Sequence, residues 1–176
     1  MTSSHPAIVA DAPKTAADRV SIARIDARNR EAAVRLEVAD EHLPYVSPVA
    51  EMLAVGDGAT EDYAILAGGT VVGFFRLDFD RARVSRYAGE GRFCGLRGYL
   101  IGRRYQGLGY GRAAIPEIRR LTRERHPDID RLVLTVNRRN AAAISTYLKA
   151  GFRGTGRMYH GGASGPQYVF ALPLNG

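Results

Sequence analysis

A glycine-rich segment at residues 103–112 has the composition of an anion-binding loop. Its sequence is RRYQGLGYGR, in which Gly107, Gly109 and Gly111 remove side chains from three of five successive positions. Main-chain N–H groups of such a segment can approach an anion closely. The helical pattern that follows adds unpaired N–H groups and partial positive charge at its first turn. The segment therefore predicts a phosphate or diphosphate site, and a glycine-rich turn that binds nothing is the alternative.

The spacing of these glycines excludes two common phosphate-binding loops. A dinucleotide-binding G-x-G-x-x-G, counted from Gly107, would need a glycine where Arg112 stands. A P-loop needs Gly-Lys followed by Ser or Thr, which the chain lacks. The pattern that is present is Q-x-x-G-x-G, with Gln106, Gly109 and Gly111 at its defined positions.

A second motif follows downstream, where an apolar and β-branched run at residues 131–136 predicts a strand. Asn140 then has the residue type of a helix N-cap, and Gly151 has that of a C-terminal stop. The alanine-rich segment between them, residues 141–150, is therefore predicted to be a short helix. It carries Tyr147 on its apolar face.

The two motifs together resemble the signature of the GCN5-related N-acetyltransferase (GNAT) superfamily. That signature joins Q/R-x-x-G-x-G/A to a later V-x-x-x-N-x-x-A-x-x-x-Y-x-x-x-G-F. The matching residues of the second element are Val136, Asn140, Ala143, Tyr147, Gly151 and Phe152. The resemblance runs from about residue 20 to residue 172. It implies an α/β (α+β) fold with a single mixed, mostly antiparallel sheet of about 6–7 strands, splayed parallel strands 4 and 5, and about 4 flanking helices.

The resemblance also implies a binding mode for acetyl-CoA, between the strands at residues 96–101 and 132–136. Backbone groups near Tyr99 and Ile101 would pair with the pantetheine amides, and the glycine-rich loop would hold the diphosphate. Asn140 would hydrogen-bond the cofactor arm. The cofactor-binding residues implied in this way are Tyr99, Ile101, Arg103, Arg104, Gln106, Gly107, Leu108, Gly109, Tyr110, Gly111, Arg112, Asn140 and Tyr147.

Tyr147 matches the tyrosine that acts as general acid in this family. Acetyl transfer from a thioester to an amine expels a thiolate, which leaves more easily when a nearby group supplies a proton. A tyrosine hydroxyl with a pKa of about 10 suits a thiol with a pKa of about 8.5. A core tyrosine whose hydroxyl has a protein partner is the alternative interpretation of Tyr147.

The general base is left unassigned. Many relatives place a glutamate on the strand before the loop, whereas residues 96–101 contain no carboxylate. Asp78, Asp80, Glu41 and His42 are the alternatives, and each is also compatible with a solvated surface group.

Charge is distributed unevenly along the chain. Residues 1–70 hold 6 Lys and Arg against 11 Asp and Glu, whereas residues 71–176 hold 19 against 7. The basic half carries the proposed phosphate loop. Acidic residues of the first half could form an acceptor wall that attracts a small cationic amine, or could be solvated helix faces. They are Asp40, Glu41, Glu51, Asp57, Glu61 and Asp62.

Residues 45–51 and 72–75 look like stretches of bacterial diamine and polyamine acetyltransferases, which favours a small-molecule acceptor. Three other functions are alternatives. An acyl-CoA-binding module with little or no transferase activity, or acetylation of a protein N-terminus, would use the same cleft. Nucleic-acid binding by the basic half is disfavoured, because no basic stretch is interleaved with aromatic residues.

Length and composition agree with one compact domain, and a cytoplasmic location is expected. The chain has 176 residues, 45% of them hydrophobic, which suffices for a full core. We expect a flexible segment at residues 1–18 and a single N-acetyltransferase domain at residues 19–176. No membrane span or signal peptide is predicted, and the single Cys94 and four histidines lack metal-ligand spacing, so no metal is expected. Sheet edges in such folds often pair, which makes a homodimer the expected assembly if the chain associates.

The remaining elements follow from periodicity. Helices are predicted at residues 28–39, 48–55 and 109–125, the last with Pro116 inside it, and a first strand at residues 20–25. Gly68-Gly69 predicts a hairpin between residues 63–67 and 71–78. A turn at residues 86–91, a strand at residues 95–101 and a closing hairpin of residues 154–160 and 167–172 complete the prediction.

Overall fold

The hairpin predicted at Gly68 and Gly69 joins two long strands of the central sheet. Both glycines have positive φ, 56° and 86°, as a tight turn between twisted strands requires. The computed structural model describes residues 20–175. The segment at residues 1–18 lies outside these described residues, so its expected flexibility stays a prediction.

Seven strands form one mixed sheet in the spatial order β1-β2-β3-β4-β5-β7-β6. The strands are β1 (Val20–Arg24), β2 (Thr60–Ala67), β3 (Thr70–Asp78), β4 (Phe93–Ile101), β5 (Arg131–Asn137), β6 (Arg153–Tyr159) and β7 (Gln167–Pro173). All neighbouring pairs are antiparallel except β4 and β5, which are parallel. The predicted fold is confirmed in its sheet type and in its parallel strands 4 and 5.

The parallel pair is short. Residues Phe93, Cys94 and Gly95 of β4 pair with Arg131, Leu132 and Val133 of β5. Beyond that point β4 continues to Ile101 and β5 to Asn137 without pairing to each other. The two strands therefore diverge and leave a gap in the middle of the sheet.

Five α-helices flank the sheet. They are α1 (Arg30–Val34), α2 (Val49–Ala54), α3 (Arg81–Ala88), α4 (Tyr110–Arg125) and α5 (Ala141–Lys149), and short 3₁₀ turns occur at Asp40–His42 and Arg103–Tyr105. Helix α4 buries Ala114, Ile115 and Ile118 against the sheet despite Pro116 in its interior. No helix within residues 20–175 is long and apolar enough to cross a bilayer.

The structure differs from the predicted helices in two places. Helix α1 ends at Val34 instead of extending to residue 39, because the chain turns so that the Glu37 carbonyl accepts a hydrogen bond from the Arg103 N–H at 2.8 Å. Helix α3 was not predicted at all. Its N-cap Asp80 accepts from the Arg83 N–H at 3.0 Å, and Val84 and Tyr87, three positions apart, form its buried face. These were local signals that the sequence contained.

Candidate active site

The gap between β4 and β5 opens into a cleft of about 1150 Å³. Residues from β4, the glycine-rich loop and α5 line one part of it, and residues from α2, β3 and α3 line another. The sequence-predicted residues that line the cleft are Tyr99, Ile101, Gln106, Gly107, Gly109, Tyr110, Gly111, Arg112, Asn140 and Tyr147. Arg103, Arg104 and Leu108 are exposed and do not line it.

The glycine-rich loop leaves its main chain open to the cleft. Gly107 and Gly109 have φ of 75° and 83°, and a Cβ added at either would meet no atom within 4 Å. Gly109 is the N-cap of α4 and supplies no side-chain cap. The first N–H groups of α4, including those of Tyr110 and Gly111, therefore face this space with no acceptor among residues 20–175. Together with Arg112, which also lines the cleft, they suit a diphosphate.

Gln106 links the glycine-rich loop to the end of β4 by a hydrogen bond. Its Nε2 donates to the Ile101 carbonyl at 3.0 Å and lies 3.4 Å from Nδ1 of His42. His42 lines the cleft, so this contact joins the glycine-rich loop to the first part of the chain.

Tyr147 lies on the inner face of α5 with its ring 5.9 Å from that of Tyr99 and 5.6 Å from that of Phe152. It is buried, with 8% of its surface exposed, and its hydroxyl has no hydrogen-bond partner in the part of the chain that the structure describes. Burial raises the pKa of the Tyr147 hydroxyl. The hydroxyl therefore stays protonated at neutral pH and is available to donate a hydrogen bond or a proton to a ligand.

Tyr99 and Asn140 have structural partners of their own. The Tyr99 hydroxyl donates to the Gly111 carbonyl and so ties β4 to the start of α4. Asn140 caps α5, as predicted, because its Oδ1 accepts from the Ala143 N–H at 3.1 Å. The Nδ2 group of Asn140 makes no such bond within residues 20–175 and is the donor that remains for a ligand.

The prediction of an acidic acceptor wall is wrong for most of its six carboxylates, because they do not line the cleft. Of the six carboxylates, Glu51 alone lines the cleft. Asp57 pairs with Arg83 at 3.1 Å, and Asp62 pairs with Arg76 at 2.6 Å. Glu61 lies 2.9 Å from Arg24. These carboxylates are neutralised by arginines that the sequence does not place beside them.

Arginines line the same part of the cleft instead. Arg76 lies on β3, and Arg97 lies opposite it on β4. Arg83 lies on α3, and all three side chains line the cleft. Sequence reasoning missed all three as site residues. The signal that existed was the alternation of Arg76 and Asp78 on β3, which places both on one face of the sheet.

Asp78 organises two of these arginines. It is fully buried and accepts from Nε and Nη2 of Arg83 at 2.6 and 2.8 Å and from Nη1 of Arg97 at 2.8 Å. Burial by itself would raise the pKa of Asp78, but the hydrogen bonds from Arg83 and Arg97 outweigh it and hold the pKa below its usual range. A buried, paired carboxylate with a lowered pKa is a poor base. Asp80 is the N-cap of α3, and neither it nor Glu41 lines the cleft.

This arrangement predicts a pH-dependent stability. Because the pKa of Asp78 is lower in the folded chain than in the unfolded one, its contribution is complete above the unfolded pKa of about 4 and is lost as the pH falls towards the folded value. We expect the free energy of unfolding to decrease below about pH 4. Urea unfolding of the wild type and of Asp78→Asn across this range measures it. The variant should show a flatter dependence, and parallel curves would contradict the assignment.

Comparisons with known proteins agree with this geometry. A family model described as Acetyltransferase (GNAT) family matches residues 24–152. No curated protein sequence matches the chain. The solved structures that it resembles share its fold at low sequence identity.

Three of these structures illustrate the range. AAC(6')-Ib in complex with acetyl-CoA has a TM-score of 0.69 at 16% identity, over 89% of this chain and 94% of that one. Spermidine N-acetyltransferase from Vibrio cholerae in complex with CoA and spermine has a TM-score of 0.66 at 14% identity, over 89% and 96%. The ribosomal-protein-S18-alanine N-acetyltransferase from Escherichia coli has a TM-score of 0.62 at 20% identity, over 89% and 95%.

Proposed function

The chain belongs to the GNAT acetyltransferase family, and from this premise we propose that it transfers an acetyl group from acetyl-CoA to the primary amine of a small molecule. Residues 19–176 would form the single catalytic domain. The observation that carries the proposal is the meeting of three features in one cleft. These are the open glycine loop at α4, the gap between β4 and β5, and the unpaired hydroxyl of Tyr147.

The loop and the gap suit the donor. Main-chain N–H groups at the start of α4, with Arg112 beside them, would hold the diphosphate of acetyl-CoA. The unpaired edge of β4 between Tyr99 and Ile101 would bind the amides of the pantetheine arm, and Asn140 Nδ2 would donate to the same arm. Bound acetyl-CoA supplies a thioester carbonyl that an amine can attack directly.

Tyr147 would act as the general acid. Its hydroxyl is buried beside Tyr99, protonated, and without a protein partner in residues 20–175. It would donate a proton to the thiolate sulfur as the carbon–sulfur bond breaks. The rings of Tyr99 and Phe152 pack against its own ring and fix its position in the cleft.

The acceptor would reach the cleft as an ammonium ion. A primary amine with a pKa of about 10 is a cation at neutral pH, which agrees with the small cationic amine expected from the sequence. Glu51 is the carboxylate that could attract it, since it lines the cleft and has no ion-pair partner in the described chain. The amine would lose its proton to water in the open cleft before attack.

A transfer assay tests this function. We expect purified protein to release thiol from acetyl-CoA above the rate of background hydrolysis when it is offered a panel of amines. The panel comprises spermidine, short diamines, amino acids, aminoglycosides and a peptide with a free N-terminus. Binding of acetyl-CoA without thiol release on any amine would instead support an acyl-CoA-binding module. Release on the peptide alone would support acetylation of a protein N-terminus.

A further inference from the structure

Beyond Tyr99 the cleft borders a row of charged side chains on neighbouring strands, of which Arg76 and Arg97 line it. Asp62 on β2 pairs with Arg76 on β3, which in turn lies opposite Arg97 on β4. Arg76 uses Nε and Nη2 to bind both oxygens of Asp62, at 2.6 and 2.9 Å, and also donates to the Met52 carbonyl. With 7% of its side chain exposed, Arg76 is committed to these protein groups.

Arg97 differs from its neighbour. Its side chain is 46% exposed, and its one hydrogen bond runs from Nη1 to Asp78. Its Nε and Nη2 groups have no acceptor anywhere in residues 20–175, and no carboxylate there except that of Asp78 lies within 4 Å of it. One edge of this guanidinium is therefore unused, on a residue that lines the cleft.

The unused edge is the one with which this protein binds carboxylates elsewhere. Arg76, Arg83 and Arg92 each use Nε and Nη2 to hold both oxygens of an aspartate, at distances between 2.6 and 3.0 Å. A planar guanidinium edge and a carboxylate match in geometry as well as in charge. A free carboxylate is the ligand that the open edge of Arg97 fits.

The orientation of this edge is fixed before any ligand arrives. Asp78 holds Nη1 of Arg97 and is itself buried and clamped by Arg83. Gly98, with φ of 57°, forms a bulge in β4 directly after Arg97. A guanidinium held in this way loses little further conformational freedom when it binds an anion.

Arg97 and Tyr99 lie on either side of the bulge at Gly98, and both line the same cleft. The Tyr99 ring lies beside that of Tyr147. A carboxylate bound to Arg97 and an amine at the thioester would therefore occupy one cleft, and a series of acceptors of increasing length measures the separation between them.

We propose that the acceptor is an amino carboxylate, whose carboxylate is bound by Nε and Nη2 of Arg97 while its primary amine is acetylated. This inference rests on the proposed acetyl transfer and specifies its substrate class. The chemical step is the same. The ammonium ion loses one proton to solvent, its nitrogen bonds to the thioester carbon, the carbon–sulfur bond breaks, and the nitrogen loses its second proton to solvent. Coenzyme A leaves as the thiol with a proton from Tyr147, which solvent replaces.

Matched acceptor pairs test the role of Arg97. The kcat/KM values are compared for L-α-amino acids, β-alanine, 4-aminobutyrate and 5-aminopentanoate, for alkylamines of the same length without the carboxylate, and for diamines of the same length. We expect the best amino carboxylate to exceed its matched alkylamine at least about tenfold. Arg97→Gln should lower kcat/KM for the amino carboxylate at least about fivefold more than for its matched alkylamine and so remove the preference, and Arg97→Lys should restore part of it.

Arg86→Gln, at an exposed position on α3 outside the cleft, is the matched control and should keep the preference. Asp78 keeps both bonds from Arg83 in Arg97→Gln, so the variant should fold, with a thermal midpoint and an acetyl-CoA affinity close to the wild type.

Two outcomes would overturn the proposal. One is alkylamines or diamines that match or exceed the amino carboxylates throughout the series. The other is an Arg97→Gln variant that slows both classes equally. In either case the acetyl transfer itself stands. Calorimetric binding of the best amino carboxylate to the protein with coenzyme A, and its loss in Arg97→Gln, reports the carboxylate site separately from turnover. If no amine releases thiol, the transfer fails and this acceptor assignment fails with it.

Discussion

Replacing Gly109 by aspartate is expected to weaken acetyl-CoA binding at least about 100-fold. Gly109 has φ of 83°, a conformation that a residue with a Cβ adopts at a cost of about 1–2 kcal/mol. It also precedes the first N–H groups of α4, which would face the diphosphate. An aspartate there adds a negative charge where a second negative charge must bind. Isothermal titration calorimetry with acetyl-CoA measures the loss.

Gly109→Ala separates the two causes. An added Cβ at this position meets no atom within 4 Å, so alanine introduces the backbone strain without a collision and without charge. We expect its loss of affinity to be about tenfold or less. Equal losses for the two variants would mean that strain alone is responsible. Wild-type affinity in Gly109→Asp would show that the diphosphate binds elsewhere.

Replacing Tyr147 by phenylalanine is expected to lower kcat about 100-fold while leaving acetyl-CoA affinity unchanged. The hydroxyl has no hydrogen-bond partner among residues 20–175, so its removal breaks no bond seen in the structure and keeps the ring contacts with Tyr99 and Phe152. The thermal midpoint should therefore be equal to that of the wild type or higher. Thiol-release kinetics give kcat, and calorimetry gives the affinity.

Tyr99→Phe is the matched control for this substitution. The Tyr99 hydroxyl donates to the Gly111 carbonyl, so its loss should loosen the start of α4 and weaken acetyl-CoA binding more than it slows turnover. The two tyrosines would then separate binding from proton donation. An unchanged kcat in Tyr147→Phe would return Tyr147 to the role of a core residue.

The glycine-rich loop and the helix cap that line one part of the cleft could be predicted from the sequence because their signals are local. Glycine spacing at Gly107, Gly109 and Gly111 and the N-cap residue Asn140 act within a few positions of themselves. The same holds for the hairpin at Gly68 and Gly69. Such features can be identified without knowing the rest of the fold.

The charged part of the cleft around Arg76, Arg83 and Arg97 could not be predicted because its charges are set by partners that are distant in the sequence. Asp62 is neutralised by an arginine 14 positions away, and the pair of Arg97 with Asp78 spans 19 positions. The carboxylates of the sequence therefore predicted a negatively charged surface in the part of the cleft that the guanidinium groups line. Helix α3 was missed for a different reason, since its local cap at Asp80 and its Val84–Tyr87 spacing were present but not used.

The short pairing of β4 with β5 has a mechanical consequence. The seven strands behave as two blocks, one of four strands and one of three, which are joined in the sheet by three residue pairs. Beyond Gly95, β4 still pairs with β3, but its main-chain groups on the side that faces β5 have no neighbouring strand. A ligand that carries amide groups can enter this gap and form hydrogen bonds with the main chain of β4, as a neighbouring strand would. Bound acetyl-CoA would then extend the hydrogen bonding of the sheet as well as react, and it would restrict the motion of the two groups of strands relative to each other.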